Sequence, residues 1–474
     1  QSFTFAAFLA AAVGGFYAVP KKGRLAVLLI FNILFFEWAD PFAGIWLLSS
    51  VCLTWGCALL VEKGADRTKR RLLIGACLSF QLILLAVFKY LPVWNEIINK
   101  TYGRGLQIVH LDVAAKFGLI APIGISFYTL EAIGYLIDVS RGKYPAEKSF
   151  WRFAAFLSFF PNIMSGPIER GDHFLGQLRE ITKKKRRELL NYDRVMQGLI
   201  AMLLGYGMKL IVAQRAEILV NQVYSMYQDA NSFTMLMAAL FYAVQNYCDF
   251  ASYSMIAVGV GRLFGFELVQ NFKQPYFARN LTDFWRRWHI TLGRWFREYV
   301  YIPLGGNKKG QFRLVINTFI VWFLTGLWHG AAWNFIIWGM FFFILMMLEK
   351  FIYLRFLEKH PIIGHLYMLI IIPVSWVIFN ISNLGELKLY LLRMFGNHAV
   401  SGVPLGGMEK FVSLFGKYWW MLAICMVCAT PLPMRLISRY KNNIFLKILF
   451  VFLFWICVYL LSVQKSNPFL YFRF

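Results

Sequence analysis

The sequence predicts an all-α polytopic membrane protein with about eleven spanning helices and further re-entrant or interfacial segments. Three observations predict it. The 474 residues are 59% hydrophobic and only 15% charged, against about 25% charged in ordinary soluble chains. The apolar residues fall in long charge-poor runs, and a helix needs about 20 of them to cross the hydrocarbon layer. The 49 Lys and Arg residues, which give a formal charge of +25, cluster in short loops between those runs, the positive-inside pattern. That placement also argues against nucleic-acid binding, the other common meaning of strong basicity.

The elements follow in order. Phe3–Val19 has no basic stretch before it and reads as a membrane helix, not a cleavable signal. Lys21, Lys22 and Arg24 mark the cytosolic side, as does the basic loop 62–71. Residues 25–61 between them must cross an even number of times, as a hairpin turning at Asp40-Pro41. Residues 72–94 lead out, and 117–138 lead back to the basic loop 141–148. Residues 150–166 are apolar but end at Ser165-Gly166-Pro167. They are expected as a re-entrant or interfacial segment, which survives at depth only when protein surrounds it.

The run Lys183–Arg187 reads as an anchor at anionic lipid head groups. Spans resume at 195–213 and 233–267. Lys273–Arg313 carries nine Lys and Arg residues with aromatics between them, against Asp283 and Glu298. It is expected as an amphipathic stretch that lies at or dips into the cytosolic interface. Residues 314–328 and 331–348 flank His329, and at about 1.5 Å per residue both arms carry it far from that face. Segments near 366–380, 411–429 and 444–463 complete the pattern, with a basic loop, Arg435–Lys441, between the last two. The whole of 1–474 reads as one membrane-embedded domain. Seven scattered cysteines argue against a disulfide framework. The pair Cys425 and Cys428 reads as two small apolar side chains on one helix face rather than a metal site.

Two of the seven histidines stand out. Residues 110, 173, 360, 365 and 398 lie in polar or interfacial loops. His329, in GLWHGAAWN (326–334), sits where an ionisable group is expensive and is by default a functional candidate. A neutral imidazole there can take a proton from an attacking hydroxyl. A structural histidine bonded to a carbonyl or to Asn334 is the alternative. His289 lies in FWRRWHITL (284–292). On a continuous helix Trp285, Trp288 and His289 share a face and Arg286 is displaced from it. That gives an aromatic wall beside an imidazole, with Arg286, Arg287 and Arg294 placed for an anionic cytosolic donor. Gly305-Gly306-Asn307 is a turn signal without the spacing of a nucleotide loop. Asp249, an acid in an apolar run, is expected to pair with an Arg or to orient a partner group.

The stretch DFWRRWHITLGRWFREYVYIPLGGN (283–307), followed by GLWHGAAWNFIIWG (326–339), resembles the membrane-bound O-acyltransferase (MBOAT) family. Support comes from GISFYTLEAIGYLIDVSRG (124–142), FFPNIMSGPIER (159–170), NFKQPYFARNLTDFWRRWH (271–289) and the ending FLYFRF. Residues 120–350 are the most family-specific. The branch most similar in pattern is that of the bacterial alginate O-acetyltransferase membrane subunit. The resemblance implies an MBOAT-type helical bundle in the bacterial cytoplasmic membrane. It implies that His329 is the essential buried histidine and that His289 is a second one on the cytosolic side. It also implies acetyl-CoA as donor substrate, no permanently bound cofactor or metal, and an SGNH-type extracytoplasmic partner that places acetyl on polysaccharide. Trp285, Arg286, Arg287, Trp288, Arg294, Trp328, Asn334 and Asp249 are the candidate substrate- or donor-binding residues. Met255 stands where that branch usually has Asp, as in the teichoic-acid D-alanylation branch. D-alanyl transfer from a carrier protein is therefore the alternative, followed by a proton-coupled transporter and a structural anchor.

Overall fold

The computed structural model describes residues 3–40, 43–64, 66–102, 122–225, 227, 230–396, 407–428, 430–440 and 442–463. The side chains of 91–102, 425, 426, 428 and 434 lie outside that description, and with them the reading of Cys425 and Cys428. His110, His398 and the FLYFRF ending lie outside it as well. All regular structure among the described residues is helical. Among the described residues seven helical stretches are long and apolar enough to cross a membrane: Ala43–Glu62, Arg67–Tyr90, Tyr192–Ser225, Gly310–His329, Trp333–Lys359, Pro361–Asn380 and Ile444–Val463. Phe3–Ala18 is a shorter apolar helix.

Two compact units divide the chain. The first comprises Gln1–Met202, Ile256–Gln270 and Arg297–Tyr299; the second comprises Leu203–Met255, Asn271–Phe296 and Val300–Phe474.

In the first unit the hairpin breaks where the sequence reading puts it, between helices Arg24–Ala39 and Ala43–Glu62. Arg24 is more than a basic loop marker. It is buried, and its guanidinium donates to the carbonyls of Ile181 (2.9 Å) and Lys184 (2.8 Å), at the end of helix Gly171–Lys183. Terminal carbonyls lack intrahelical partners, and a cation there also suits the helix dipole. The 150–166 segment is short and broken as expected: a helix, Phe150–Leu157, then an irregular buried run. Asn32 serves that run twice. Its Nδ2 donates to Ser158 Oγ (2.9 Å) and its Oδ1 accepts from Phe160 N–H (3.2 Å). Gln81 donates to Ser50 (2.7 Å) and Thr54 (2.9 Å), joining helices Ala43–Glu62 and Arg67–Tyr102 by bonds of the kind that hold membrane helices together.

In the second unit, helices Gly310–His329 and Trp333–Leu348 form the hairpin whose turn follows His329. Glycines let them approach. A Cβ on Gly326 would lie 2.5 Å from Phe335 O, and one on Gly339 would lie 2.5 Å from Trp322 O. In the π-helical turn Met208–Ala213, Lys209 forms a buried ion pair with Asp249. Asp249 was expected to pair with an arginine or to orient a partner group; the basic partner here is a lysine, 40 residues earlier in an apolar run.

The 273–313 stretch is more broken than the sequence suggests. It is not one amphipathic surface helix but a series of short pieces: Pro275–Phe277, Leu281–Trp285, Ile290–Phe296 and a π-helical turn, Arg297–Tyr301. Left-handed backbone at Gln274 (φ 42°) and His289 (φ 44°) interrupts it. Asn280 starts a new helix by accepting from Asp283 N–H (2.7 Å). Leu281, Phe284, Trp288, His289 and Leu292 are buried, so the segment is folded into protein rather than laid on a surface.

Candidate active site

The second unit brings both singled-out histidines into one aromatic core. His329 is the last residue of its helix, and the extended Gly330 ends the turn there. Its ring packs against Trp328 (4.9 Å between centroids), Trp338 (5.1 Å) and Phe379 (5.1 Å). His289 packs edge-on to Phe250 at 4.7 Å and lies 6.2 Å from the Trp328 ring. Trp328 thus contacts both imidazoles. The sequence places the histidines in separate motifs 40 residues apart; the fold joins them through one indole.

His289 is held by its backbone as well as its ring. It is 3% exposed and adopts a positive φ, a conformation uncommon for residues other than glycine and found often at functional sites. Asn271 lies alongside. Its backbone carbonyl accepts from Ile290 N–H (2.9 Å). Its Oδ1 accepts from Thr291 N–H (3.2 Å) and Thr291 Oγ1–H (2.8 Å), and His289 Nδ1 lies 3.1 Å from the same oxygen. Burial pushes the His289 imidazole down to about 3, because water no longer solvates a charged ring there.

The remaining candidates divide. Trp285 packs against Trp322 (4.9 Å) and Phe342 (4.8 Å), and Trp288 against Trp376 (4.8 Å) and Phe272 (5.1 Å). The aromatic wall exists, but not on one helical face: the helix ends at Trp285 and His289 follows a turn. Arg287 bonds Asp283 at 2.7 Å, while Arg286 and Arg294 are exposed and do not join the imidazole. Asn334 is buried and donates to the carbonyls of Phe379 (2.7 Å) and Ile378 (3.3 Å). It ties the His329 hairpin to the end of helix Pro361–Asn380, whose Phe379 packs against His329.

Two structural anchors escaped sequence reading. Glu349 looks like a cytosolic boundary beside Lys350, yet it is buried. Its carboxylate accepts from Leu281 N–H at 2.8 Å and from Thr282 N–H and Oγ1 at 3.4 Å. One end of helix Trp333–Leu348 therefore carries Asn334, near His329, and the turn past the other end caps the helix that leads to His289. Asn271 is the second. Its only sequence signal is its place at the head of the NFKQPYFARN motif.

The first unit has a polar cluster of its own, built from three of the quoted motifs. Asp138, fully buried, pairs with Lys143 (2.7 Å) and Arg170 (3.2 Å) and accepts from Tyr299 Oη (2.8 Å). Arg170 also bonds Glu298 at 2.9 Å. Burial, then the Asp138 carboxylate, pushes the Tyr299 hydroxyl up, so it remains a neutral donor. Gly134 admits the Tyr299 ring: a Cβ there would lie 3.2 Å from it.

Comparison with known proteins adds a second line. Residues 146–387 match the model of the MBOAT, membrane-bound O-acyltransferase family. A probable alginate O-acetylase of Pseudomonas putida is 31% identical over 98% of both chains. A peptidoglycan O-acetyltransferase of Helicobacter pylori is 30% identical, over 78% of this chain and 72% of its own. A teichoic acid D-alanyltransferase of Bacillus subtilis is 30% identical over 49% of this chain and 60% of its own.

Proposed function

The chain belongs to the membrane-bound O-acyltransferase family and is a multi-pass membrane acyltransferase, and from that premise we propose that it moves acetyl groups from cytosolic acetyl-CoA toward an extracytoplasmic polysaccharide. The location is the bacterial cytoplasmic membrane, and delivery runs through an SGNH-type partner. The observation that carries this reading is the pair of buried imidazoles joined by Trp328 in a chain similar along 98% of its length to a probable alginate O-acetylase. The similarity to a D-alanyltransferase covers only 49% of the chain, which favours acetyl over aminoacyl transfer.

In this reading acetyl-CoA enters near the His289 segment, and its thioester reaches the Trp328–His329 region. His329 acts as general base on an acceptor hydroxyl or carries the acyl group itself. In the direct route the acceptor oxygen bonds the acyl carbon as the C–S bond breaks, and the hydroxyl proton passes through the imidazole to the departing thiolate. The aromatic packing around both rings limits water, and with it hydrolysis of the thioester.

His329→Ala abolishes exopolysaccharide acetylation while the protein still reaches the membrane; normal acetylation in that variant removes His329 from the mechanism. A donor screen on purified protein separates the two acyl classes. Turnover with acetyl-CoA and none with a D-alanyl carrier protein is expected, and the reverse assigns aminoacyl transfer.

A further inference from the structure

We infer that Asn271 is a positioning residue that holds His289 as the Nδ1–H tautomer, so that Nε2 is the acceptor nitrogen of the ring. The inference rests on the acyltransferase reading of this site and assigns the polarity of one of its groups.

The argument begins with a group whose polarity is fixed. The backbone N–H of Thr291 can only donate, and it meets the Asn271 side chain at 3.2 Å. The Asn271 atom it meets must therefore be the amide oxygen, which settles which way the amide points. That same oxygen lies 3.1 Å from His289 Nδ1. A carbonyl oxygen has no proton to give, so the bond exists only if Nδ1 carries the hydrogen. A neutral imidazole has one ring hydrogen, and with Nδ1 holding it, Nε2 is the acceptor. Burial keeps the ring neutral at physiological pH.

The same residue holds the backbone. Asn271 grips the chain on the far side of His289, through its own carbonyl at Ile290 and its side chain at Thr291. Lys273 N–H donates to Arg287 O at 2.9 Å on the near side. These bonds hold the left-handed turn at His289 open, and Asn271 is 1% exposed, so water does not compete for its oxygen.

The consequence is a division of roles. An Nε2 lone pair can receive a hydrogen bond or a proton from an N–H or O–H of the substrate. It cannot donate to a thioester carbonyl. His289 is thus excluded as the group that stabilises the developing oxyanion, and it can serve only as an acceptor when substrate arrives.

The test is direct observation of the ring. The full chain, labelled with 15N-histidine and reconstituted in nanodiscs, is compared by magnetic resonance with His289→Asn to assign the signals. A protonated Nδ1 and a pyridine-like Nε2 at neutral pH are expected. Asn271→Asp keeps an acceptor at this point and preserves that pattern; Asn271→Ala removes it and releases the ring to the other tautomer. Acetyl-CoA turnover is measured alongside. Asn271→Ala lowers kcat by about 100-fold, the scale of a positioned acid–base group, with KM little changed, and Asn271→Asp restores most of it. A protonated Nε2 in the wild-type protein overturns the inference, as does an unchanged tautomer in Asn271→Ala. Because the tautomer is read without turnover, absence of acetyl transfer in the wild-type protein would defeat the functional reading and leave the ring assignment standing.

Discussion

Removing the Glu349 carboxylate should loosen the His289 segment from a distance. In Glu349→Ala, the Leu281 N–H loses its 2.8 Å partner at a position where Leu281 is 0% exposed, so water cannot replace it. An unsatisfied buried donor costs about 1–3 kcal/mol. The Thr282 contacts, at 3.4 Å, lie at the edge of bonding distance and add little. The lost side chain also leaves a small cavity, for a total of about 2–4 kcal/mol. Glu349→Gln keeps an amide oxygen in place and should cost about 1 kcal/mol. Denaturant unfolding in detergent micelles, followed by tryptophan fluorescence, measures the difference, and acetyl-CoA turnover reports the effect on the His289 segment. The expected order, in both stability and rate, is wild type, then Gln, then Ala. The capping argument fails if Ala unfolds with wild-type stability, or if Gln is as damaged as Ala.

Three other outcomes follow from the same geometry. Lys209→Met leaves the Asp249 charge buried without its ion-pair partner and should cost about 3–5 kcal/mol, with much of that recovered in the Lys209→Met/Asp249→Leu double variant; equal losses in single and double variants would refute the pairing argument. Gly326→Ala puts a methyl 2.5 Å from Phe335 O, where neither backbone can yield cheaply, and should destabilise by about 1–3 kcal/mol in the same unfolding assay. For His289, burial lowers the folded ring to about 3 against about 6.5 for the unfolded ring, so below 6.5 the unfolded state binds more protons and stability is lost as the pH is lowered. The slope approaches about 1.4 kcal/mol per pH unit between those values, and it should be missing from His289→Asn when the two proteins are unfolded from pH 6.5 to 4.5.

Legibility in the sequence varied with the range of the interaction. The hairpin around His329 was readable because local composition makes it: two apolar runs separated by Gly330-Ala331-Ala332. The break after Asp40 and the short 150–166 segment were readable for the same reason. The 273–313 stretch was not, because its basic–aromatic alternation imitates an amphipathic helix. What breaks it is a left-handed turn stabilised by Asn271, 18 residues before His289. The helical face drawn through Trp285, Trp288 and His289 does not survive the turn, while Arg286 and Arg294, chosen for their charge, are exposed. The capping role of Glu349 left no local signal, because charge beside Lys350 usually marks a membrane boundary and its partner N–H groups lie 67 and 68 residues earlier. Trp328 carried a hint in its adjacency to His329, but nothing in its motif announces the second imidazole.

The positive φ at His289 narrows what evolution or an engineer can put there. Glycine relaxes the turn, asparagine and aspartate enter left-handed backbone readily, and β-branched side chains are excluded by sterics. Position 289 is thus filtered twice, once by the chain's shape and once by the ring's chemistry, and the two filters accept different residues. A library at this position sorted first for membrane accumulation and only afterwards for turnover should yield Gly, Asn, Asp and His from the first sort and a narrower set from the second. The alanine commonly used to delete a histidine fits neither filter well. Asparagine removes the imidazole while leaving the turn intact, which makes it the cleaner instrument for asking what the ring does.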